Sequence, residues 1–335
     1  MREQRGKREV GPPAGVQPAR PEQGGGAATP WFALPEGAAP GLPPSDLGVT
    51  RIGGAVFRWG LRTYVMGVLN VTPDSFSGDG LLARDEAGGG AAREAHVEAA
   101  LALGRRMAAE GADLLDVGGE STRPGHRPID GAEERRRVIP VIAALRQALP
   151  AMPLSIDTTK PEVAAAALDA GATLLNDVRG VAADPAILTL AAERDVAIVL
   201  MHNRAEARYQ NLLAEVIADL ERAVERALAA GVAWEAIIVD PGIGFGKTPE
   251  QNLALLRDLA ALRVLRRPIL LGTSRKSTIG RVLDLPADER LEGTLATTAL
   301  GVRAGADIVR VHDVRANVRA ARMADAIVRA PGGER

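Results

Sequence analysis

Residues 111–123 read Gly111-Ala112-Asp113-Leu114-Leu115-Asp116-Val117-Gly118-Gly119-Glu120-Ser121-Thr122-Arg123, and the order of residue types here decides the fold. An Ala-rich stretch of helical period runs into Gly111, a residue that takes the left-handed conformation ending a helix. The apolar run Leu114–Gly118 has the length and composition of a buried strand. Polar residues follow at once. Gly171-Ala172-Thr173 and Gly305-Ala306-Asp307 repeat the same opening before two further apolar runs, a faint internal repeat at helix-to-strand turns.

Short apolar or β-branched runs alternate with helical segments from residue 60 onward. The expected strands are Tyr64–Val71, Leu114–Gly118, Leu154–Asp157, Leu174–Val178, Ala197–Met201, Ile237–Asp240, Ile269–Gly272 and Ile308–Val311. The expected helices cover about 93–110, 133–148, 161–170, 185–194, 211–230, 250–262, 288–303 and 315–329. Gly111, Gly171, Gly231 and Gly305 stand where C-terminal caps belong. Thr159-Lys160-Pro161-Glu162 and Thr248-Pro249-Glu250-Gln251 read as capping boxes with an early proline. Strands with little polar alternation are buried on both faces, as in parallel sheets. Eight such units favour an α/β protein built as a closed (β/α)8 TIM barrel over an open doubly wound sheet. Gly48–Arg62 precedes the first barrel strand and is read as a hairpin covering the barrel floor.

Residues 1–47 carry Gly24-Gly25-Gly26 and Pro43-Pro44 without periodicity, so they are expected to form a disordered extension, and residues 48–335 the barrel. The extension has no apolar signal-peptide core, and no run of 18 apolar residues occurs, so a cytoplasmic protein without a membrane partner is expected. The chain has 335 residues, with 41 Lys+Arg against 42 Asp+Glu. This balance argues against nucleic acid as a partner. It holds no cysteine, which removes disulfides, thiolate catalysis and Cys-ligated metals. Its four histidines would nearly all be needed for one multi-histidine metal site.

In a barrel of this type the active site lies at the C-terminal ends of the strands. Those ends carry Asn70; Glu120-Ser121-Thr122-Arg123; Asp157; Asn176-Asp177; Met201-His202; Asp240; Ser274-Arg275-Lys276; and Arg310-Val311-His312-Asp313. Any one of these could be a helix cap, but all eight ends are polar. Asp157, Asn176 and Asp240 are short polar groups at or within apolar strands, suited to the edge of a flat heterocycle. Arg123, Lys276, Arg310 and His312 form a cationic or donating set that points to a phosphate or diphosphate. In Asp240-Pro241-Gly242-Ile243-Gly244-Phe245-Gly246-Lys247 the glycines are read as letting backbone approach a flat ring, with Phe245 as a wall. Asp177 reads equally as a helix cap, and His202 as a packed residue.

Asn70-Val71-Thr72-Pro73-Asp74-Ser75-Phe76-Ser77-Gly78-Asp79-Gly80 and Gly118-Gly119-Glu120-Ser121-Thr122-Arg123-Pro124-Gly125 resemble the two signatures of the dihydropteroate synthase family. Ser155-Ile156-Asp157-Thr158, Asn176-Asp177, the Asp240–Lys247 loop, Ser274-Arg275-Lys276 and Arg310-Val311-His312-Asp313 match further blocks in the same order. The resemblance spans about residues 48–328. It implies a homodimeric transferase of folate biosynthesis that joins 4-aminobenzoate to 6-hydroxymethyl-7,8-dihydropterin diphosphate and releases diphosphate. By the same motifs, Asp157, Asn176, Asp240 and Lys276 would bind the pterin. Asn70, Arg123, Arg310 and His312 would hold the diphosphate, with Mg²⁺ at Asn70. Thr122, Pro124, Ser274 and Ser277 would shape the aminobenzoate site, and Gly272 and Phe245 would complete the substrate contacts. Catalysis would rest on Asp157, Lys276, Arg123 and Arg310.

Two departures from the family pattern stand out. The segment after His202 reads Asn203-Arg204-Ala205-Glu206-Ala207-Arg208-Tyr209-Gln210, and the first long loop contains Ala87-Gly88-Gly89-Gly90. A pterin-binding methyltransferase would share the Asp/Asn/Asp trio without needing the anion-binding set. A non-catalytic pterin-binding paralogue is the other alternative.

Overall fold

The computed structural model of the chain describes residues 47–72, 90–120 and 128–329. Apart from Leu47, the extension read at 1–47 lies outside the described residues, as do Thr122, Arg123 and Pro124. The hairpin comes first: β1 (Val49–Ile52) pairs antiparallel with β2 (Ala55–Arg58). Eight parallel strands follow, β3 (Tyr64–Asn70), β4 (Leu114–Gly118), β5 (Leu154–Asp157), β6 (Leu174–Asp177), β7 (Ala197–Met201), β8 (Ile237–Asp240), β9 (Leu270–Leu271) and β10 (Ile308–Val311). Their order is β8-β7-β6-β5-β4-β3-β10-β9. A parallel bridge between Val239 and Ile269 brings β8 against β9 and completes the circuit. This is the (β/α)8 barrel expected from the alternation.

Nine helices among the described residues surround it: α1 (Gly90–Ala109), α2 (Gly131–Ala148), α3 (Pro161–Asp169), α4 (Pro185–Glu193), α5 (Leu212–Ala229), α6 (Pro249–Arg257), α7 (Ser277–Leu283), α8 (Leu291–Ala304) and α9 (Val314–Val328). Gly111, Gly171, Gly231 and Gly305 all have φ near +100° just past a helix, the conformation their positions required. The capping box at Thr248 is formed, with Thr248 Oγ1 accepting from Gln251 N–H and Gln251 Oε1 from Thr248 N–H. The one read at Thr159 is not. There the cap residue is Lys160, whose side chain makes no cap bond, and Thr158 Oγ1 accepts the Lys160 N–H instead.

Three further expectations are corrected. The helix read at 250–262 stops at Arg257 and continues as a 3₁₀ turn, Leu259–Leu265, which ends where Arg266 turns left-handed at φ 51°. The strand read at Ile269–Gly272 keeps only Leu270 and Leu271 in regular pairing. Finally, α7 lies between the expected strand at Ile269–Gly272 and the expected helix at 288–303, and α8 starts at Leu291 rather than 288.

Side chains alternate between two cores, as the period of two demands. Val65, Leu69, Leu115, Val117, Ile156, Leu175, Ile198, Leu200, Val239, Leu271 and Val309 face outward into the helix layer. Tyr64, Met66, Leu114, Leu174, Ala197, Val199, Ile238, Leu270 and Ile308 face the barrel axis, and Ile52, Phe57 and Trp59 of the hairpin segment join them. Most of these inward residues open their strands, so the hairpin closes the N-terminal floor. Phe57 and Tyr64 rings pack in a tilted pair with centroids 4.6 Å apart, and Trp59 Nε1–H donates to Thr50 Oγ1 at 2.9 Å. No described helix is long and apolar enough to cross a membrane. Phe57 is buried at the floor, remote from the polar strand ends. Phe57→Ala should therefore cost about 3–5 kcal/mol of stability, measured by denaturant titration, while leaving the activity of the folded fraction near that of the parent.

Candidate active site

Toward the C-terminal strand ends the inward positions turn polar. Asn70, Gly118, Asp157 and Asn176 fall in neighbouring register on β3 to β6. Arg310 enters from β10 and crosses the barrel mouth. Its Nε donates to Asp116 Oδ2 at 2.6 Å and its Nη2 to Asp157 Oδ2 at 2.8 Å. The Asn176 amide nitrogen donates to the same Asp116 oxygen at 3.0 Å. Gly118 keeps this tier open: a Cβ there would stand 3.8 Å from both Asn70 Oδ1 and Asp157 Oδ2. Burial pushes the Asp157 carboxyl above its ordinary range. The Arg310 guanidinium opposes that shift, and the nearby carboxylates of Asp116, Glu134 and Asp177 reinforce it.

Asp240 at the tip of β8 begins the glycine-rich loop. Its Oδ1 accepts the Gly242 N–H at 2.7 Å, and burial raises its pKa against the pull of Lys276. Lys276 Nζ donates to the Ile243 carbonyl at 2.5 Å and sits 4.7 Å from the Phe245 ring centroid, within cation–π range. Burial pushes the Lys276 ammonium down to about 8, with Asp240 opposing and Arg310 adding to the shift. Gly272 separates the two cations; a Cβ on it would lie 3.8 Å from Lys276 Nζ and 3.9 Å from Arg310 Cβ.

The glycines of this loop have a different task from the one read in the sequence. Gly242 has φ 66°, and a Cβ there would collide with the His202 carbonyl oxygen; a Cβ on Gly246 would meet the Arg204 carbonyl. Their close approach is thus to the backbone of the loop after β7, not to a ring. Phe245 lies against Lys276, as its 4.7 Å ring distance shows. Below the loop, Lys247 Nζ donates to the carbonyls of Gly242 (3.0 Å) and Phe245 (2.9 Å) and lies 2.9 Å from His202 Nδ1. His202 Nε2 is 3.1 Å from Asp219 Oδ2. His202 is fully buried and burial drives its pKa down to about 4, so it is a packed, hydrogen-bonded residue. Burial likewise pushes the Lys247 ammonium down to about 7.

The rim is closed by the loops after β9 and β10. Ser274 Oγ contacts both the backbone N–H (3.2 Å) and Nδ1 (3.0 Å) of His312. Arg275, left-handed at φ 58°, makes a two-pronged ion pair with Asp313 at 2.6 and 3.0 Å. Ser277 is exposed in the first turn of α7. Asp177 faces outward and caps a local turn, its Oδ1 accepting from Arg179 N–H at 2.8 Å.

The described residues therefore bring Asn70, Asp157, Asn176, Asp240, Gly272, Lys276, Arg310 and Phe245 around one mouth, with Ser274 and His312 beside it. Two participants were not picked out from the sequence. Asp116 could have been found as the lone charge within an apolar strand, and Lys247 as a lysine closing the glycine-rich loop. Among the described residues no group of three His, Asp or Glu side chains forms a metal cluster.

A sequence profile of the pterin binding enzyme family matches residues 66–312. Dihydropteroate synthase of Clostridium beijerinckii is 48% identical over 280 residues, covering 83% of this chain and 99% of that protein. A crystal structure of dihydropteroate synthase from Clostridium difficile in the presence of pteroic acid superposes with a TM-score of 0.75 at 48% identity, covering 82% of this chain and 99% of that one. The Xanthomonas albilineans dihydropteroate synthase with 4-aminobenzoic acid gives a TM-score of 0.75 at 42% identity over 83% of this chain and 97% of that one. The barrel, the ordered strand-end motifs and these matches place the chain in the pterin binding enzyme family, among the dihydropteroate synthases.

Proposed function

We propose that this pocket joins 4-aminobenzoate to 6-hydroxymethyl-7,8-dihydropterin diphosphate, forming 7,8-dihydropteroate and diphosphate. The observation that carries the reading is the convergence of Asp157, Asn176 and Asp240 with Lys276 and Arg310 in one buried barrel mouth. Acceptors on β5, β6 and β8 suit the N–H-rich edge of a pterin. Lys276 lies over the Phe245 ring, and Arg310, bonded to Asp116 and Asp157, supplies a second positive charge to the same mouth for an anionic leaving group. The related synthase structures, one in the presence of pteroic acid and one with 4-aminobenzoic acid, fit the same substrate pair. A methyltransferase would have no use for the cations.

In the reaction, the bond between the exocyclic carbon and the diphosphate oxygen breaks and its electron pair leaves with diphosphate. The dihydropterin ring delocalises the positive charge left behind, and the neutral arylamine nitrogen attacks that carbon and sheds a proton. A neutral arylamine is already nucleophilic, so the protein's work is electrostatic. Asp157 stabilises the charge spreading through the ring, while Arg310, His312 and Arg123 compensate the departing diphosphate. Ser274, held to His312, serves the aminobenzoate side with Ser277, and the family motif assigns Thr122 and Pro124 to the same substrate. The Asn70 carboxamide oxygen, beside Asp157 across Gly118, is a hard donor of the kind Mg²⁺ takes when water and phosphate complete its shell. Asn70 would hold that ion, which when bound supplies positive charge to the diphosphate.

Assembly as a homodimer is supported by the exposed apolar side chains Leu253 of α6 and Val282 and Leu283 of α7, which line one concave patch. A chain without cysteine needs no oxidising compartment, which fits the cytoplasm.

Purified protein given both substrates and Mg²⁺ should release diphosphate; tight pterin binding without release would favour a binding protein instead. Lys276→Ala and Asp157→Ala should each lower turnover by about 100-fold or more, and near-parental rates in either variant would count against these roles. The pH profile supplies an independent check. Lys276 serves as a cation, so kcat/KM should fall as pH rises through about 8. Deprotonation removes the charge, so the loss lies on the alkaline side, and a profile flat to pH 9.5 would contradict it.

A further inference from the structure

Asp116 stands in the middle of β4, completely buried and facing the barrel axis. Its Oδ2 takes two hydrogen bonds, from Arg310 Nε at 2.6 Å and Asn176 Nδ2 at 3.0 Å, while Oδ1 has no partner among the described residues. A buried carboxylate with one oxygen unpaired is costly, and replacing buried ion pairs by apolar side chains often leaves stability unchanged or better. Stability alone does not account for a charge at this point.

The geometry has a chemical consequence. An ionised carboxylate can only accept hydrogen bonds, so the group of Asn176 beside it has to be the amide NH₂. The carbonyl oxygen of Asn176 is then the atom left for a ligand. Asp157 and Asp240 are likewise acceptors when ionised. We propose that Asp116 is a positioning residue that fixes the hydrogen-bonding polarity of the pocket. By holding the Asn176 amide nitrogen it commits the carboxamide to accept from the bound ring, and by holding Arg310 Nε it aims the guanidinium across the mouth. The pocket then selects a heterocycle that offers several N–H donors along one edge, such as a 2-amino-4-oxo-pyrimidine ring. The same ring without its amino group leaves a buried acceptor unpaired. This inference rests on the proposed pterin-binding reading and assigns to a residue that touches no substrate the choice of donor-rich over donor-poor rings.

The test compares the full chain with Asp116→Asn, Asn176→Asp and the double variant D116N/N176D. Calorimetry measures affinity for 6-hydroxymethylpterin and for the analogue lacking the 2-amino group, and thermal melting checks that each variant folds. Asn176→Asp sets two carboxylates against each other and should weaken pterin binding at least 50-fold. In the double variant, Asn at 116 can donate to Asp at 176, whose second oxygen again faces the ligand. Its affinity should recover at least tenfold over Asn176→Asp. Asp116→Asn lets the Asn176 amide turn over, so the preference for the amino-bearing ring should fall at least fivefold. That ratio would not move if Asp116 merely braced the barrel. A double variant no better than Asn176→Asp, or an Asp116→Asn protein with parental ring preference, overturns the proposal even where the parent binds pterin normally. A parent that binds no pterin overturns the functional reading beneath it. Should Asn176→Asp fail to fold, the ring-preference ratio of Asp116→Asn decides alone.

Discussion

One guanidinium, that of Arg310, is shared by two carboxylates on strands that are not its neighbours. β3 lies between β10 and β4, so the side chain has to span the barrel mouth to reach Asp116 and Asp157. Taking each carboxylate out of water costs several kcal/mol, and a close counter-charge offsets that cost. The rest of the site is arranged around this triad. Asn176 takes its orientation from Asp116, Gly118 and Gly272 leave room on either side, and Lys276 stands off across Gly272 with Asp240 as its own counter-charge. Stability comes from elsewhere: the outer helix layer and the hairpin-plugged floor hold the apolar area.

How far the sequence foretold this varies with how local the cause is. Strand ends were legible because a polar residue after an apolar run is a local signal, and Asn70, Asp157, Asn176 and Asp240 all lie where it placed them. Capping glycines were legible for the same reason. Asp116 was not, because a single charge inside Leu-Leu-Asp-Val-Gly faces in or out according to a register that only neighbouring strands set. Lys247 was hidden because its partner His202 is 45 positions away on another loop. The helix α7 was missed because it has only seven residues, and the left-handed Arg275 sets up its start without a glycine or proline to mark the turn.

The loop that departs from the family pattern, Asn203–Gln210, is tied down by charge. Arg204 binds Glu215 and Asp219 of α5 and lies 4.7 Å over the Tyr209 ring, and Tyr209 OH donates to the Gly246 carbonyl at 2.8 Å. This unusual segment therefore supports the glycine-rich loop from outside while Lys247 supports it from below. Such double bracing keeps Phe245 and the Ile243 carbonyl in place against Lys276.

The pairing of β10 with β3 ties residues 308–311 to residues 64–67. During synthesis the chain emerges with an unpaired edge on β3 and two buried-to-be carboxylates, Asp116 and Asp157, that have no cation between them. Arg310 arrives on the last of the described strands to leave the ribosome, so shutting the sheet and bringing this cation to its mouth are one event. A truncated product would be left with an open edge and an uncompensated acidic pocket, a species open to proteolysis and unable to masquerade as finished enzyme.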